Sequence, residues 1–235
     1  MQFSSPLIPG TLLKRYKRFL ADVTLETGES VTAACPNTGA MLGLTVPGSR
    51  VWLSRSANPA RKYAHTWELV EIDGKGLVGV NTGRPNRIVS EAITAGMVPE
   101  FAGYTGLRNE VKYGRNSRID ILLEGEGLPP CYVEVKNTHL FRVPGLVEFP
   151  DCVTERGTKH LGELAGMVKQ GCRAAMLYLV QADFPQAVTL AADLDPNYVK
   201  AFRLARKAGV EAFALCCKVT TTEISAVRAI PVLEP

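Results

Sequence analysis

Hydrophobic and polar residues alternate in short runs through the first third of the chain. Such alternation is typical of β-strands with one buried face. Turn signals separate the runs, at Thr27-Gly28, Pro47-Gly48 and Asp73-Gly74. A basic segment leads into the first predicted strand within residues 12–23, and further strands are predicted at 31–35, 51–54, 66–72 and 77–80. Several short strands at this spacing predict a small β-barrel.

Strands and helices alternate in the remaining two thirds of the chain. Apolar residues at helical spacing predict helices over residues 86–95, 155–171 and 196–209. Strands are predicted at residues 111–113, 119–123, 131–136, 174–180, 210–219 and 224–232. A sheet flanked by helices is an α/β domain. We therefore expect a small all-β barrel over residues 1–83 and an α/β domain over residues 84–235.

The charge distribution changes this picture only slightly. The chain has 235 residues, a formal net charge of +4 and a pI near 8.7. Residues 1–83 hold 9 Lys and Arg against 6 Asp and Glu, so most of the positive excess lies in the barrel. This excess favours a polyanionic partner for the barrel, although a mildly basic surface without such a partner would give the same numbers.

No apolar run is long enough to span a membrane, and the first residues lack the apolar core of a signal peptide. We therefore expect a cytoplasmic protein without a membrane partner. The six cysteines show no Cys-x-x-Cys spacing, which in a reducing compartment predicts free thiols rather than a zinc site.

Three charged residues on two predicted strands carry the strongest chemical signal. Asp120 lies in one strand, and fourteen positions later Glu134 begins a Glu-x-Lys pattern that ends at Lys136. Alternate residues of a strand share a face, so Glu134 and Lys136 point to one side. Val133 and Val135 then point to the core.

These residue types suit metal-dependent phosphodiester hydrolysis. Asp120 and Glu134 would hold Mg²⁺ or Mn²⁺, which stabilises charge on the attacking and leaving oxygens. Lys136 would orient the attacking water or stabilise the phosphate, and Glu110 is a further candidate carboxylate. The alternative is an exposed, charged strand face with a cross-strand ion pair.

The basic segment of the barrel is a second candidate site. Small barrels bind nucleic acid with cations that contact phosphates and exposed aromatic rings that stack on bases. The alternative is that Tyr16 and Phe19 fill the barrel while the charges are only solvated. The DNA-binding candidates in the barrel are Lys14, Arg15, Tyr16, Lys17, Arg18, Arg61 and Lys62.

The predicted helix at residue 155 offers a third group of candidates. Helix N-termini favour anions, so Arg156 and Lys159 are candidate contacts for DNA phosphate. Thr154 is a candidate N-cap of the same helix, which is compatible with phosphate contacts.

Two other patterns argue against further sites. Residues 74–79 match G-x-G-x-x-G, but they lead into a strand rather than a helix, which argues against dinucleotide binding. His65, His139 and His160 lack the close spacing of metal ligands, and we interpret each as a structural or surface residue.

Seven blocks of sequence carry a family resemblance over nearly the whole chain. They are residues 13–22 (LKRYKRFLAD), 35–41 (CPNTGAM), 62–69 (KYAHTWEL), 110–114 (EVKYG), 117–120 (SRID), 133–137 (VEVKN) and 149–161 (FPDCVTERGTKHL). Together they resemble the sugar fermentation stimulation protein A family. One departure from the family pattern, at residues 137–140, follows the last charged residue of the Glu-x-Lys pattern.

This resemblance implies an N-terminal OB-like barrel and a C-terminal nuclease-like domain of the PD-(D/E)XK type. Asp120, Glu134 and Lys136 fall on the nuclease signature. It also implies sequence-independent DNA binding and a role in regulating maltose metabolism. Because a nuclease fold does not establish cleavage, two functions stay open. One is a DNA-binding protein with a Mg²⁺-dependent endonuclease site, and the other is a non-catalytic DNA-binding regulator.

Overall fold

The computed structural model describes residues 1–113 and 117–234; Gly114, from one block of family resemblance, and Pro235 lie outside them. Six strands of the first region form a sheet in the order β3-β2-β1-β4-β5-β6. Pairing of β3 with β5 closes it into the expected barrel of five strands. The strands are β1 (Ile8–Tyr16), β2 (Leu20–Leu25), β3 (Ser30–Ala34), β4 (Arg50–Arg55), β5 (His65–Ile72) and β6 (Gly76–Gly79).

Aliphatic side chains and one tryptophan fill the barrel. Phe19 is not among them, because half of its surface (50%) is exposed, and Tyr16 is only partly buried. The alternative that both rings fill the barrel is therefore wrong for Phe19. The fully buried barrel residues include Leu12, Ala21, Val23, Ala33, Val51, Leu53 and Trp67.

The glycine-rich segment at residues 74–79 forms the turn between β5 and β6 and the strand β6 itself. Gly74 has φ +68°, a left-handed conformation that favours glycine, and β5 pairs antiparallel with β6 directly after it. The segment is a hairpin, as predicted, and not the turn before a phosphate-binding helix.

The second region contains a six-stranded mixed sheet in the order β14-β13-β11-β9-β8-β7. Its centre, β9, β11 and β13, is parallel, and the outer strands pair antiparallel. A separate parallel pair, β10 and β12, was not predicted. The strands are β7 (Gly106–Tyr113), β8 (Ser117–Glu124), β9 (Cys131–Asn137), β10 (Leu146–Phe149), β11 (Arg173–Val180), β12 (Ala187–Leu190), β13 (Glu211–Val219) and β14 (Ile224–Ile230).

In the part of the chain that the structure describes, three α-helices cover this sheet, α1 (Pro85–Thr94), α2 (Glu155–Lys169) and α3 (Pro196–Lys207), and a short 3-10 helix spans Pro99–Phe101. All three were predicted to within two residues at each end. Apolar residues of α2 and α3 pack with one core cluster and those of α1 with the other, so the helices lie on opposite faces. Within the described ranges, no helix has the length and apolar character needed to cross a membrane.

Side-chain caps fix where α2 and α3 begin. Thr154 Oγ1 accepts a hydrogen bond from Gly157 N at 3.1 Å, as predicted for the N-cap of α2. Asp195 Oδ1 accepts from Tyr198 N at 3.0 Å and caps α3. The start of α2 is therefore set locally, and this matters because its first turns face the sheet where Glu134 lies.

A buried ion pair joins the barrel to the α/β region. Glu68 of β5 is 1% exposed and accepts hydrogen bonds from Ser54, Asn81 and Arg84 at 2.6–3.1 Å. Arg84 directly precedes α1, so this network holds the start of α1 against the barrel. A buried charge is stable when its partners satisfy it in this way. The predicted boundary after residue 83 lies in the same connection.

Candidate functional site

Asp120 and Glu134 lie on neighbouring antiparallel strands, one position beyond the last pair of the two strands. β8 and β9 pair through Ile121 and Val133, so the next pair in this register would be Asp120 with Glu134. The backbone ladder ends before that pair. Asp120 Oδ2 instead accepts the N–H of Val135 at 2.8 Å. The fourteen-residue spacing therefore places two carboxylates side by side where the two strands stop pairing.

Glu110 occupies the same row, one strand further out. In the pairing of β7 with β8, Glu110 and Asp120 both lie between the pairs Asn109–Ile121 and Val111–Ile119. Glu110 has φ +56°, a left-handed conformation that costs a residue with a Cβ about 1 kcal/mol or more. Asn86 Nδ2, from the first turn of α1, lies 3.1 Å from Glu110 Oε1 and 3.0 Å from Asp120 Oδ1. Asn86 thus links two carboxylates of the row.

Glu134 is the most tightly held member of the row, with 2% of its surface exposed. Lys136 Nζ donates to Glu134 Oε1 at 2.6 Å, and His160 Nδ1 contacts the same oxygen. Arg156 Nε lies 3.3 Å from His160 Nε2. We therefore assign His160 the tautomer that accepts through Nε2 and donates through Nδ1 to Glu134. Among the described residues, Glu134 Oε2 is buried and has no hydrogen-bond partner.

The pKa values of the two inner carboxylates, Asp120 and Glu134, shift in opposite directions. Burial and the charge of Glu134 raise the pKa of Asp120. Burial would also raise the pKa of Glu134, but the hydrogen bond from His160 and the charge of Lys136 lower it. Carboxylates placed opposite each other repel. A cation bound to both would relieve this repulsion and would also give Glu134 Oε2 a partner.

This donor set fits a hard divalent cation. Mg²⁺ usually takes one or two protein carboxylates and completes its coordination with water and phosphate oxygens. In the part of the chain that the structure describes, no group of three or more His, Cys, Asp or Glu residues is arranged to hold a metal ion. Asp120 and Glu134 thus supply a partial coordination shell of the kind that Mg²⁺ uses.

The two carboxylates and Lys136 line a cavity of about 380 Å³ between the two regions. One wall is the barrel loop at residues 37–39, and another contains Arg156 and His160 of α2. A second cavity of about 650 Å³ shares Arg156 and His160 with the first and is also lined by Glu110, Ser117, Arg118, Glu155 and Lys159. Glu110 and Lys159 therefore line the neighbouring cavity.

The barrel loop is fixed to the α/β region across the first cavity. Asp151 Oδ2 accepts the N–H of Met41 at 2.8 Å, and Asn37 Nδ2 lies 3.0 Å from His139 Nε2. A Cβ on Gly39 would come within 2.7 Å of the Asp151 carboxylate, so the loop approaches as closely as it does only because residue 39 is glycine. The barrel thus contributes a defined wall to the site.

The basic segment divides into residues that hold this loop and residues that face solvent. The Arg15 guanidinium donates to the carbonyl oxygens of Asn37, Gly39 and Ala40 at 2.8–3.2 Å. Arg18 Nη1 donates more weakly to Thr38 O at 3.4 Å. The Tyr16 hydroxyl donates to Asp22, which also lies 3.5 Å from Lys14 Nζ. The exposed cations among the barrel candidates are Lys14, Lys17 and Arg18 of this segment, and Arg61 and Lys62 between β4 and β5.

Two residues of the site were not predicted as such: Asn86 was not a candidate, and His160 was interpreted as a structural or surface residue. Nothing local to Asn86 indicates a site, because its role depends on where α1 packs. His160 is buried and contacts Glu134, which goes beyond the structural or surface role expected of it. One signal was present, since His160 lies four residues after Arg156 and therefore shares its helical face. His139 is buried and bonded, in accord with the structural interpretation.

Known proteins match this chain along its whole length. The family model for the SfsA N-terminal OB domain matches residues 13–80, and that for the sugar fermentation stimulation protein RE domain matches residues 83–223. A sugar fermentation stimulation protein homolog from Azorhizobium caulinodans is 57% identical and covers 99% of this chain and 100% of the relative. The homolog from Agrobacterium fabrum is 56% identical, covering 96% and 94% of the two chains.

A solved structure supports the same assignment. SfsA from Pyrococcus furiosus, in complex with Ca²⁺, has a TM-score of 0.89 and 26% identity, covering 99% of this chain and 98% of that one. The fold predictions are confirmed in outline: an OB-like barrel precedes an α/β domain that matches the RE domain of this family. The chain belongs to the sugar fermentation stimulation protein family.

Proposed function

We propose that this protein binds DNA and cleaves its phosphodiester bonds with a divalent cation, Mg²⁺ or Mn²⁺, held by Asp120 and Glu134. The hydrogen bonding of the Glu134 carboxylate is the main support for this proposal. Lys136 and His160 occupy one of its oxygens, while the other is buried without a partner. Leaving a buried oxygen unsatisfied costs about 1–3 kcal/mol, which a ligated cation would remove. The Ca²⁺ bound by the Pyrococcus furiosus relative supports a hard cation in this family.

The surrounding residues have separate tasks in this proposal. A bound cation would stabilise negative charge on the phosphate during hydrolysis. Lys136 uses one N–H on Glu134, and its other two are available to a water or a phosphate oxygen in the cavity. His160 holds Glu134 in place. Arg156 lines both cavities and would contact a phosphate next to the scissile one.

Exposed cations would hold the rest of the DNA. Contacts from Lys and Arg to phosphate carry no sequence information, so we propose sequence-independent binding. Arg15 and Tyr16 are bonded within the barrel, so we assign Arg15 to shaping the cavity wall and Tyr16 to holding Asp22. The proposed phosphate contacts are Lys14, Lys17, Arg18, Arg61, Lys62, Arg156 and Lys159.

A cleavage assay with matched lysine variants tests the catalytic part. Plasmid and circular single-stranded DNA are incubated with the purified protein in Mg²⁺ or Mn²⁺. We expect Lys136→Ala to lower the cleavage rate by about 10²–10³-fold, the usual cost of removing one donor to transition-state charge. Lys207→Ala, an exposed lysine on α3 that lines neither site cavity, should cleave like the unmodified protein.

Two outcomes would decide against catalysis. One is no cleavage by any form of the protein, and the other is equal cleavage by the unmodified protein and Lys136→Ala. Salt-dependent DNA binding without cleavage would instead favour the DNA-binding part of the alternative, a non-catalytic regulator of sugar metabolism such as maltose use. Thermal melting of both variants checks that each is folded.

A further inference from the structure

The turn between β1 and β2 presents an aromatic ring to solvent among exposed cations. Phe19 is 50% exposed, whereas its neighbour Leu20 is buried in the barrel. Lys17 and Arg18 are exposed beside it, and Lys14 lies close by on β1. A single exposed apolar residue is common on protein surfaces, so exposure alone would carry no inference.

The backbone of this turn is strained in a way that its sequence does not favour. Lys17 has φ +51° and Arg18 has φ +65°. Left-handed conformations cost residues with a Cβ about 1 kcal/mol or more each, and hairpin turns that need them usually use Asn or Gly. The Arg15 guanidinium braces the turn by donating to Arg18 O at 2.7 Å. Strain that is kept and braced at an exposed position indicates a functional turn.

The same turn adjoins the wall of the candidate catalytic cavity. Phe19 O accepts a hydrogen bond from Cys35 N at 2.7 Å, and Arg18 Nη1 reaches Thr38 O. Residues 37–39 line the cavity that contains Asp120 and Glu134. A DNA strand that contacts the turn would therefore need to cross only this loop to reach the carboxylates.

We propose that the β1–β2 turn is a binding site for single-stranded DNA, in which Phe19 stacks on an unpaired base. Lys17 and Lys14 contact the adjoining phosphates, and the strand continues over residues 37–39 towards the carboxylates. This inference rests on the proposed function, because it names the form of DNA that the same site takes. Stacking on an aromatic side chain requires a free base face, which single strands offer and duplexes cover.

Binding measured without cleavage tests this proposal directly. Fluorescence anisotropy in EDTA compares a labelled 20-nucleotide single strand, its duplex, and an abasic strand of equal length. We expect the unmodified protein to bind the single strand most tightly. Phe19→Ala should weaken that binding by about 5- to 150-fold, the usual effect of losing one stacked base, and leave the other two affinities unchanged. Leu204→Ala, which alters a 59% exposed residue on α3, should change none of them.

A second variant gives a readout of stacking that does not depend on the stability of Phe19→Ala. Trp52 and Trp67 are buried and out of reach of a base, so quenching by direct stacking would come from the tryptophan of Phe19→Trp. We expect the single strand to quench its fluorescence and the abasic strand not to do so. Absence of quenching would overturn the proposal, as would tighter binding of the duplex, or equal single-strand affinity in Phe19→Ala. Each of these leaves DNA binding and cleavage intact, whereas failure to bind any of the three DNAs would overturn the proposed function as well.

Discussion

The carboxylate row and the β1–β2 turn are built in opposite ways. In the row, Asp120 and Glu134 are largely withdrawn from water, and Glu134 contacts Lys136 and His160 through one oxygen. In the turn, Lys17 and its neighbours face solvent, and the backbone rather than side-chain contacts is unusual. Metal chemistry gains from a preorganised, desolvated site. Binding of a DNA strand is favoured by exposed positive charge. The two proposed functions, metal binding and DNA binding, therefore require different environments.

One loop connects these two regions. Residues 37–39 line the cavity of the carboxylates, and Arg15 of the basic segment holds their carbonyl groups. The buried row and the exposed turn therefore lie on either side of one loop. Three measurements test this comparison between the carboxylate row and the turn.

The largest effect of the three is expected from the histidine that holds Glu134. His160→Ala would leave Glu134 Oε1 bonded to Lys136 alone, and we expect the affinity for Mn²⁺ to fall about 10–100-fold, as when a group that orients a metal ligand is lost. His160→Gln keeps a donor and should recover most of this affinity. Isothermal titration calorimetry at pH 7.5 gives the readout, with His65→Ala as the control outside both cavities. Equal affinities for His160→Ala and His160→Gln would show that hydrogen bonding to Glu134 is not its role.

Arg15 and Lys17 should separate stability from DNA binding within the basic segment. Arg15→Ala removes the donor to three loop carbonyls, and we expect the free energy of unfolding to fall by about 1–3 kcal/mol. Lys17→Ala should stay within about 0.5 kcal/mol of the unmodified protein. It should instead reduce the slope of log affinity against log salt concentration by about 1. Urea denaturation and anisotropy titrations measure the two effects, and an exchange of these outcomes would contradict the division drawn between the two residues.

The smallest effect is expected on the pH dependence of stability, at His139, which contacts Asn37 of the barrel loop. Burial lowers the pKa of His139, although the Asp151 carboxylate opposes this. In the unfolded chain the ring titrates near its usual value of about 6.5. As the pH falls below that value, the unfolded state takes up a proton that the folded state resists, so the free energy of unfolding falls. Urea denaturation between pH 7.5 and 5.5 should show a smaller fall in His139→Gln, and equal falls would refute this origin.

Several features of the fold and the site follow from local sequence. Alternation predicts Glu134 and Lys136 on one strand face, with Val133 and Val135 in the core on the other, as the structure confirms. The caps Thr154 and Asp195 fix two helix starts through side-chain hydrogen bonds to nearby N–H groups. Each of these signals acts over a few residues, which is why one sequence suffices to read it.

Other features escaped prediction because distant segments create them. The pair of β10 and β12 joins short strands about forty residues apart, and neither has a distinctive pattern. Asn37 and His139 are 102 residues apart in sequence yet lie 3.0 Å from each other. Asn86 reaches Asp120 only because α1 packs under β8. Such contacts depend on how layers pack, which local periodicity does not encode.

The sequence by itself determined the two-region organisation, the family resemblance and the set of Asp120, Glu134 and Lys136. Strand alternation places Glu134 and Lys136 on one face of β9, and the short connection between the strands brings Asp120 of β8 next to them. Only the tertiary structure decided that His160 and Asn86 hold the carboxylates, that Arg15 serves the cavity wall, and that Phe19 faces solvent. Those outcomes depend on burial and on contacts between segments far apart in the chain, and both exist only once each region has folded.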